Sequence, residues 1–307
     1  MVKKSKFISL LIPCTFSRIG KSIIPGSVLL CVIFCACSPA GTAPAPNTTF
    51  ETPFTIAYPG ATAELSIVSD LPGMLRLVGY SGSDFVNGTV QVSNRDWTPK
   101  IEIKDGKVSL VQAKIKAADS QNSTNLWKLR VSDNQSFRLD IRNSQAEGHW
   151  NFSGLPITDL YAELGTAKNA FTFDEPNPTI MRQCELRCST GDVILEGILN
   201  AACQNMVIKA LKGSLTLRFG EKEILQNLKV TIEGGAGTIN ISVPGDVPAR
   251  VTVTGKNQVN PGDGISKVES KGSVNTYETA IYPETPSKAI EISILGGSGI
   301  IYLNPLP

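Results

Sequence analysis

The chain has 307 residues, with 29 Lys and Arg, 27 Asp and Glu, and a single histidine. The first 36 positions hold five of the basic residues and no acidic one, which leaves 24 basic against 27 acidic groups in the rest. No basic patch interleaved with aromatic residues occurs, so nucleic acid is not expected as a partner. A single histidine excludes a metal site built from several histidines, and no cofactor is predicted.

The N-terminal residues predict an export signal. A basic leader precedes an apolar run from Ile23 to Ala36, which meets Cys37 in the sequence FCACS. A Pro-Gly pair interrupts the run, which is shorter than the roughly 20 apolar residues of a membrane span. The pattern predicts a lipoprotein signal peptide over residues 1–36, with Cys37 lipidated and the mature protein attached to a membrane. An uncleaved anchor and an ordinary signal peptide are the alternatives, and all three readings place the protein outside the cytoplasm, in the cell envelope.

Residues 37–58 are rich in Pro, Ala and Thr. Such a composition does not build a core and stays extended, so this segment is predicted to be a linker between the lipid and the folded part. Three cysteines follow in the body of the chain, Cys184, Cys188 and Cys203. Cys184 and Cys188 share the parity of Leu186 in an expected strand, which predicts buried thiols ahead of a disulfide or a metal site.

Alternation of apolar and polar residues, punctuated by Gly, Asn, Asp and Pro, recurs from about residue 55 onwards and predicts an all-β fold. An N-terminal β domain is expected over residues 59–148. Its predicted strands are Ala63 to Val68, Met74 to Val78, Gly88 to Val92, Lys100 to Ile103, Val108 to Lys114, Leu126 to Val131 and Phe137 to Ile141.

Residues 149–307 contain an internal repeat, in which two alternating strands flank a glycine. The pivotal glycines are Gly165, Gly191, Gly213, Gly237 and Gly299, separated by 26, 22, 24 and 62 residues. A unit of this length cannot bury its apolar row alone, so the repeat predicts a β-solenoid-like or β-helix-like stack of strand-Gly-strand units. Phosphate-binding glycine loops open onto a helix, whereas a strand follows these glycines.

Two sequence segments carry a family resemblance. The residues from Gly234 to Val253 (GGAGTINISVPGDVPARVTV) and the closing ILGGSGIIYL resemble the bacterial toast-rack family, whose C-terminal region is shared with the cell-wall-active antibiotics response proteins. Upstream, LRLVGYSGSDFVNGTVQV from Leu75 and WTPK from Trp97 are similar to the N-terminal toast-rack domain. The resemblance implies an extracytoplasmic or membrane-associated β protein, in a family linked to envelope stress and without established enzymatic activity.

Candidate catalytic groups are few. His149 is the only histidine available to a Ser-His-Asp triad, and its place beside Trp150 favours a surface or packing role. Carboxylates alone suffice for glycoside cleavage, and Asp263 in the loop NPGDG could contribute to a calcium site, although a turn is the simpler interpretation. The acidic candidates are Asp140, Asp159, Glu163, Asp174 and Glu175.

These observations favour a non-catalytic, lipid-anchored surface module for binding or scaffolding, linked to cell-wall stress through the family resemblance. Its partner is expected to be a protein or a wall polymer. If exposed, Trp97, Trp127 and Trp150 would mark the binding surface. The alternatives are a secreted β-helix enzyme acting on wall or extracellular polysaccharide, and an envelope-stress regulator acting through a membrane partner.

Overall fold

The computed structural model describes residues 49–112, 123–210, 212–220, 224, 226–282 and 288–306. The predicted signal peptide, Cys37 and the first part of the predicted linker lie outside the described residues. In the described part of the chain, no helix is long and apolar enough to cross a membrane.

The regular secondary structure of the described residues is almost entirely β-strand, which confirms the predicted all-β class. The first nine strands are β1 (Phe50–Ile56), β2 (Ala63–Ser69), β3 (Met74–Tyr80), β4 (Val86–Val92), β5 (Lys100–Lys104), β6 (Lys107–Val111), β7 (Asn125–Ser132), β8 (Phe137–Asn143) and β9 (Glu147–Asn151). The next eight are β10 (Ile157–Leu164), β11 (Asn169–Thr172), β12 (Gln183–Cys188), β13 (Val193–Glu196), β14 (Asn205–Ala210), β15 (Leu215–Arg218), β16 (Leu228–Gly234) and β17 (Thr238–Pro244). The last six are β18 (Ala249–Thr254), β19 (Gln258–Pro261), β20 (Ile265–Lys271), β21 (Val274–Thr279), β22 (Ile290–Leu295) and β23 (Ile300–Leu306). Two short 3-10 helices cover Arg95–Trp97 and Ile198–Ala201.

The strands form two mixed sheets. Sheet A has the order β1-β4-β7-β3-β9-β11-β13-β15-β17-β23-β19, and sheet B has the order β20-β21-β18-β22-β16-β14-β12-β10-β8-β2-β6-β5. From β8 to β17 the chain alternates between the sheets, and each strand from β8 to β15 pairs in parallel with the strand two places later. We call one sheet B strand and the sheet A strand that follows it a rung. The final strands β22 and β23 add another rung on β16 and β17.

The core lies between the sheets, because most strands turn their apolar row inward; β5 and β20 at the edges of sheet B are largely exposed. In β12, for example, Cys184, Leu186 and Cys188 are buried while Glu185 and Arg187 point outward. The parallel register aligns equivalent residues of successive rungs into continuous buried rows. One row in sheet B consists of Leu160, Cys184, Met206, Val230, Ile292 and Val251.

The predicted pivotal glycines stack on one another. A Cβ atom on Gly213 would overlap the carbonyl oxygen of Gly191, one on Gly237 that of Gly213, and one on Gly299 that of Gly237. None of these four glycines has a positive φ. The repeat therefore requires glycine because adjacent rungs approach closely at this corner, and not because the turn needs a left-handed backbone.

The structure differs from two of the predicted segment boundaries. Residues 50–56, assigned to the linker, form β1, which pairs antiparallel with β4 at the edge of sheet A. Phe50 and Phe54 pack against the core while Glu51 and Pro53 are exposed, so this short alternation was a strand signal despite the proline, which edge strands tolerate. The predicted boundary between residues 148 and 149 falls within β9, and residues 47–307 form one compact unit.

The body cysteines are free, buried thiols, as predicted. Burial raises the pKa of Cys188 and of Cys203 to about 12. Burial, and then the neighbouring Cys203 and Cys188, raise the pKa of Cys184 well above its usual range. These three thiols are therefore neutral at physiological pH and are weak nucleophiles.

We expect iodoacetamide at about pH 8 to spare Cys184, Cys188 and Cys203 in the folded protein and to alkylate them in urea. Mass spectrometry of the peptides would measure this.

Unfolded thiols titrate near pH 9, below the folded values, so between about pH 9 and 12 the unfolded state binds fewer protons. The free energy of unfolding should then fall as pH rises, by up to about 1.4 kcal/mol per pH unit for each thiol. Rapid native alkylation would contradict the burial.

Candidate functional site

The three tryptophans do not form a binding surface. Trp97, Trp127 and Trp150 are 2%, 0% and 1% exposed. The indole N–H of Trp127 donates to Asn125 Oδ1 at 3.0 Å, and that of Trp150 donates to Asn169 Oδ1 at 3.1 Å. The prediction depended on exposure of a ring, and buried amide partners instead allow the indoles of Trp127 and Trp150 to sit between the sheets. Trp97 is buried as well, but no described group accepts from its indole N–H.

His149 lies on the outer face of β9 in sheet A, and its Nε2 is 3.2 Å from Glu147 Oε1. Asp263 lies exposed in the turn between β19 and β20. Among the described residues, no group of three or more His, Cys, Asp or Glu side chains could hold a metal ion. His149 and Asp263 are thus separate surface residues.

The acidic candidates divide into two groups. Asp174 and Glu175 are exposed in the turn after β11. Asp140, Asp159 and Glu163 instead come together on the outer face of sheet B, where β8 and β10 are neighbours. Since His149 lies on the other sheet, the fold does not bring it together with these three carboxylates.

Two adjoining cavities follow strands β2, β8, β10 and β12 on this face, and together we call them the sheet B groove. The first has a volume of about 270 Å³ and is lined by Glu64, Arg138, Asp140, Asp159, Tyr161, Gln183 and Glu185. The second has a volume of about 760 Å³, and its charged lining residues are Asp70, Arg142, Glu163, Arg187 and Lys209. The period-2 geometry of the strands places all these side chains away from the core.

Ion pairs within and between strands cross the groove. Asp140 Oδ2 is 3.5 Å from Arg142 and Glu185 Oε1 is 2.9 Å from Arg187. Glu185 also faces Lys209 at 3.7 Å. These pairs are partly exposed, and such pairs contribute only about 0–1 kcal/mol each to stability. A ligand can therefore replace one partner of such an ion pair at a low cost in free energy.

Tyr161 stands at the middle of the groove. Its strand register places it between Asp140 on β8 and Glu185 on β12. The guanidinium of Arg187 lies 5.3 Å from the centre of the tyrosine ring. Asp140 Oδ1 is buried and has no hydrogen-bond partner. The groove thus combines an aromatic ring with donors, acceptors and one acceptor that no protein group satisfies.

Sequence reasoning found Asp140, Asp159 and Glu163 but missed the basic side chains and Tyr161. A usable signal was present in the repeat. Arg142, Glu163, Arg187 and Lys209 recur at intervals of 21, 24 and 22 residues, close to the spacing of the glycines. Charged residues that recur with the repeat length align across a parallel sheet, and the observed pairing places these four side by side.

No family model matches the chain, and no curated protein matches it. Among solved structures, it is similar to a proposed cell adhesion protein from Clostridium sporogenes, with 17% identity over 84% of this chain and 100% of the other, and a TM-score of 0.43. A proposed adhesin from Bacteroides fragilis gives 12% identity over 83% and 97%, with a TM-score of 0.40. A proposed lipid-binding protein from Parabacteroides distasonis gives 13% identity over 84% and 97%, with a TM-score of 0.33.

Proposed function

We propose that this protein is a non-catalytic, lipid-anchored module of the cell envelope that binds a polyhydroxylated polymer in the sheet B groove. The observation that carries the proposal is the groove itself, where donors and acceptors from neighbouring strands surround Tyr161. The anchor rests on the sequence, through the leader, Cys37 and the residues that follow. Membership of the toast-rack family and a link to cell-wall stress remain parts of this proposal.

Hydroxyl-rich ligands suit this chemistry. A hydroxyl group both donates and accepts hydrogen bonds, so a sugar ring fits a surface on which carboxylates alternate with guanidinium and amide groups. Arg138 and Gln183 supply donors beside the acceptors Asp140 and Asp159. Tyr161 adds a ring face against which the apolar face of a sugar can pack. The regular sheet holds these groups at fixed spacings, which suits a repeating polymer.

The ion pairs support binding without cleavage. Glycoside hydrolysis requires one protonated carboxylic acid opposite a second carboxylate. In the groove, Asp140, Asp159 and Glu185 each face a basic side chain, Arg142, Arg182 and Arg187 respectively. Groups paired in this way act as fixed acceptors and orient a ligand.

The test is a co-sedimentation experiment with insoluble peptidoglycan, cellulose and chitin, in which bound protein is measured against polymer amount. We expect retention on at least one polymer and about a tenfold loss of affinity in Tyr161→Ala, because an aromatic anchor at the centre of a site dominates binding. Tyr302→Ala, a tyrosine on the outer face of sheet A, is the matched control and should bind normally. The Cys37→Ala variant should no longer be found in the membrane fraction but should still bind the polymer.

Three outcomes would contradict the proposal. If the wild type bound none of the polymers, the binding function would be wrong. If Tyr161→Ala and Tyr302→Ala had the same affinity for the polymer, the groove would not be the binding site. Release of soluble saccharide from a retained polymer would establish the polysaccharide-cleaving alternative. An unmodified Cys37 in mass spectrometry of the membrane fraction would exclude the lipid anchor.

A further inference from the structure

The sheet B groove is electrically polarised along its strands. The first cavity is lined by four carboxylates, from Glu64, Asp140, Asp159 and Glu185, and by the cation of Arg138. Two further cations, Lys107 and Arg182, pair with Glu64 and Asp159, which leaves Asp140 and Glu185 as the carboxylates that face the second cavity. The second cavity has three cations, from Arg142, Arg187 and Lys209, against the two carboxylates of Asp70 and Glu163. One end of the groove is therefore rich in acceptors for a cation, and the other is rich in donors for an anion.

The strand register produces this polarity. Asp140 and Arg142 lie two residues apart on β8, as do Glu185 and Arg187 on β12. Residues two apart point to the same face and are separated by about 7 Å along a strand. Because β8, β10 and β12 are parallel and in register, the acidic positions of β8 and β12 fall at one level. The next level holds three cations, Arg142, Arg187 and Lys209, together with the one carboxylate of Glu163.

Glu185 and Arg187 pair closely across the two levels, at 2.9 Å, but the other contacts between the levels are long. Asp140 contacts Arg142 at 3.5 Å, and its second oxygen, Oδ1, has no partner although it is buried. Lys209 divides its contacts between Glu185 at 3.7 Å and Glu233 at 3.9 Å. A ligand that brings its own cation to Asp140 and its own anion to Lys209 would replace these long contacts with closer ones.

We infer that the ligand of the groove is a zwitterionic glycan, with an ammonium group for the first cavity and a carboxylate or phosphate group for the second. This inference rests on the proposed function and names the class of polymer. Asp140 and Lys209 lie three strands and two residues apart in the sheet, so the two ligand charges are separated by up to about 16 Å. Neutral parts of the glycan lie over Tyr161 between them.

Carboxymethyl-chitosan, which carries both charges, is the test ligand. Its affinity is compared by calorimetry with those of its N-acetylated form, unmodified chitosan, carboxymethyl-dextran and dextran. We expect carboxymethyl-chitosan to bind about tenfold more tightly than any of the others, since each lost charge removes a paired contact. Added salt should reduce this preference, because partly exposed charges are screened.

Two variants test which end of the groove binds the ammonium group and which end binds the carboxylate. Asp140→Asn should weaken carboxymethyl-chitosan about tenfold and its N-acetylated form much less, whereas Lys209→Gln should weaken all three carboxylated polymers. Glu196→Gln is the matched control, because Glu196 forms an exposed cross-strand ion pair with Arg218 on the outer face of sheet A. It should bind all five polymers like the wild type.

Equal affinity for dextran and carboxymethyl-chitosan, with a loss in Tyr161→Ala, would overturn the zwitterionic ligand and leave the proposed polymer binding intact. Failure of every polymer, including peptidoglycan, cellulose and chitin, would overturn both. If Asp140→Asn lowered the affinities for carboxymethyl-chitosan and for its N-acetylated form by the same factor, the first cavity would not bind an ammonium group. That result would also overturn the inference.

Discussion

Replacing Gly213 by alanine is expected to lower the free energy of unfolding by about 3 kcal/mol or more, or to prevent folding. The added Cβ would overlap the carbonyl oxygens of Gly191 and Thr190 in the preceding rung. These are backbone atoms, so no side-chain rotation relieves the overlap. Relief requires the two rungs to separate, which would weaken the parallel pairing of β13 with β15 and of β12 with β14. Urea unfolding followed by circular dichroism measures the loss.

Gly245→Ala is the matched control for this substitution. A Cβ at position 245 would meet no atom within 4 Å. Gly245 also has no positive φ, so the alanine there adopts the same backbone without strain. We expect its unfolding midpoint to stay within the equivalent of about 0.5 kcal/mol of the wild type. Similar stabilities for the two variants would mean that the rungs do not approach closely at Gly213.

The glycine repeat was the strongest fold signal in the sequence, because its cause is local and recurs in successive rungs. The spacing of Gly191, Gly213 and Gly237 matches the chain length needed for one strand in each sheet and two corners. Outside this repeat, alternation predicted β2 to β8, but not β1. β1 was assigned to the linker because its composition matched the residues before it, although Phe50 and Phe54 contact the core.

The candidate site was only partly predictable, for a different reason. Single-sequence alternation shows that Asp140 and Asp159 point outward, but not which residues from other strands stand beside them. That knowledge requires the register, which a shift of one residue would reverse. The register pairs Tyr161 with Asp140 and Glu185, which are separated by 45 positions in the sequence. The groove therefore became visible only in the folded chain.

The tryptophans were binding candidates only if their rings were exposed, and the sequence does not show which buried groups could accept an indole N–H. For Trp127, the acceptor belongs to a buried network of amide side chains. Asn125 Oδ1 accepts from Trp127 at 3.0 Å and from Gln112 at 2.9 Å. Gln112 Nε2 also donates to the backbone oxygen of Trp97 at 2.7 Å, and its Oε1 accepts from Ser69 at 2.9 Å. Two of the three tryptophans are thus tied to one polar cluster inside the core.

Trp127→Ala is therefore expected to lower the free energy of unfolding by about 3–5 kcal/mol, because it leaves a large cavity between the sheets. Trp127→Phe should cost less, about 1–2 kcal/mol, since the ring volume is largely kept and Asn125 Oδ1 still accepts from Gln112. Tyr302→Ala, at a side chain that is 37% exposed, is the control and should cost less than about 1 kcal/mol. Urea titrations of the three variants rank these losses. If Trp127→Ala were no less stable than Tyr302→Ala, Trp127 would have to be exposed, and the original hypothesis of an aromatic binding surface would regain its first candidate.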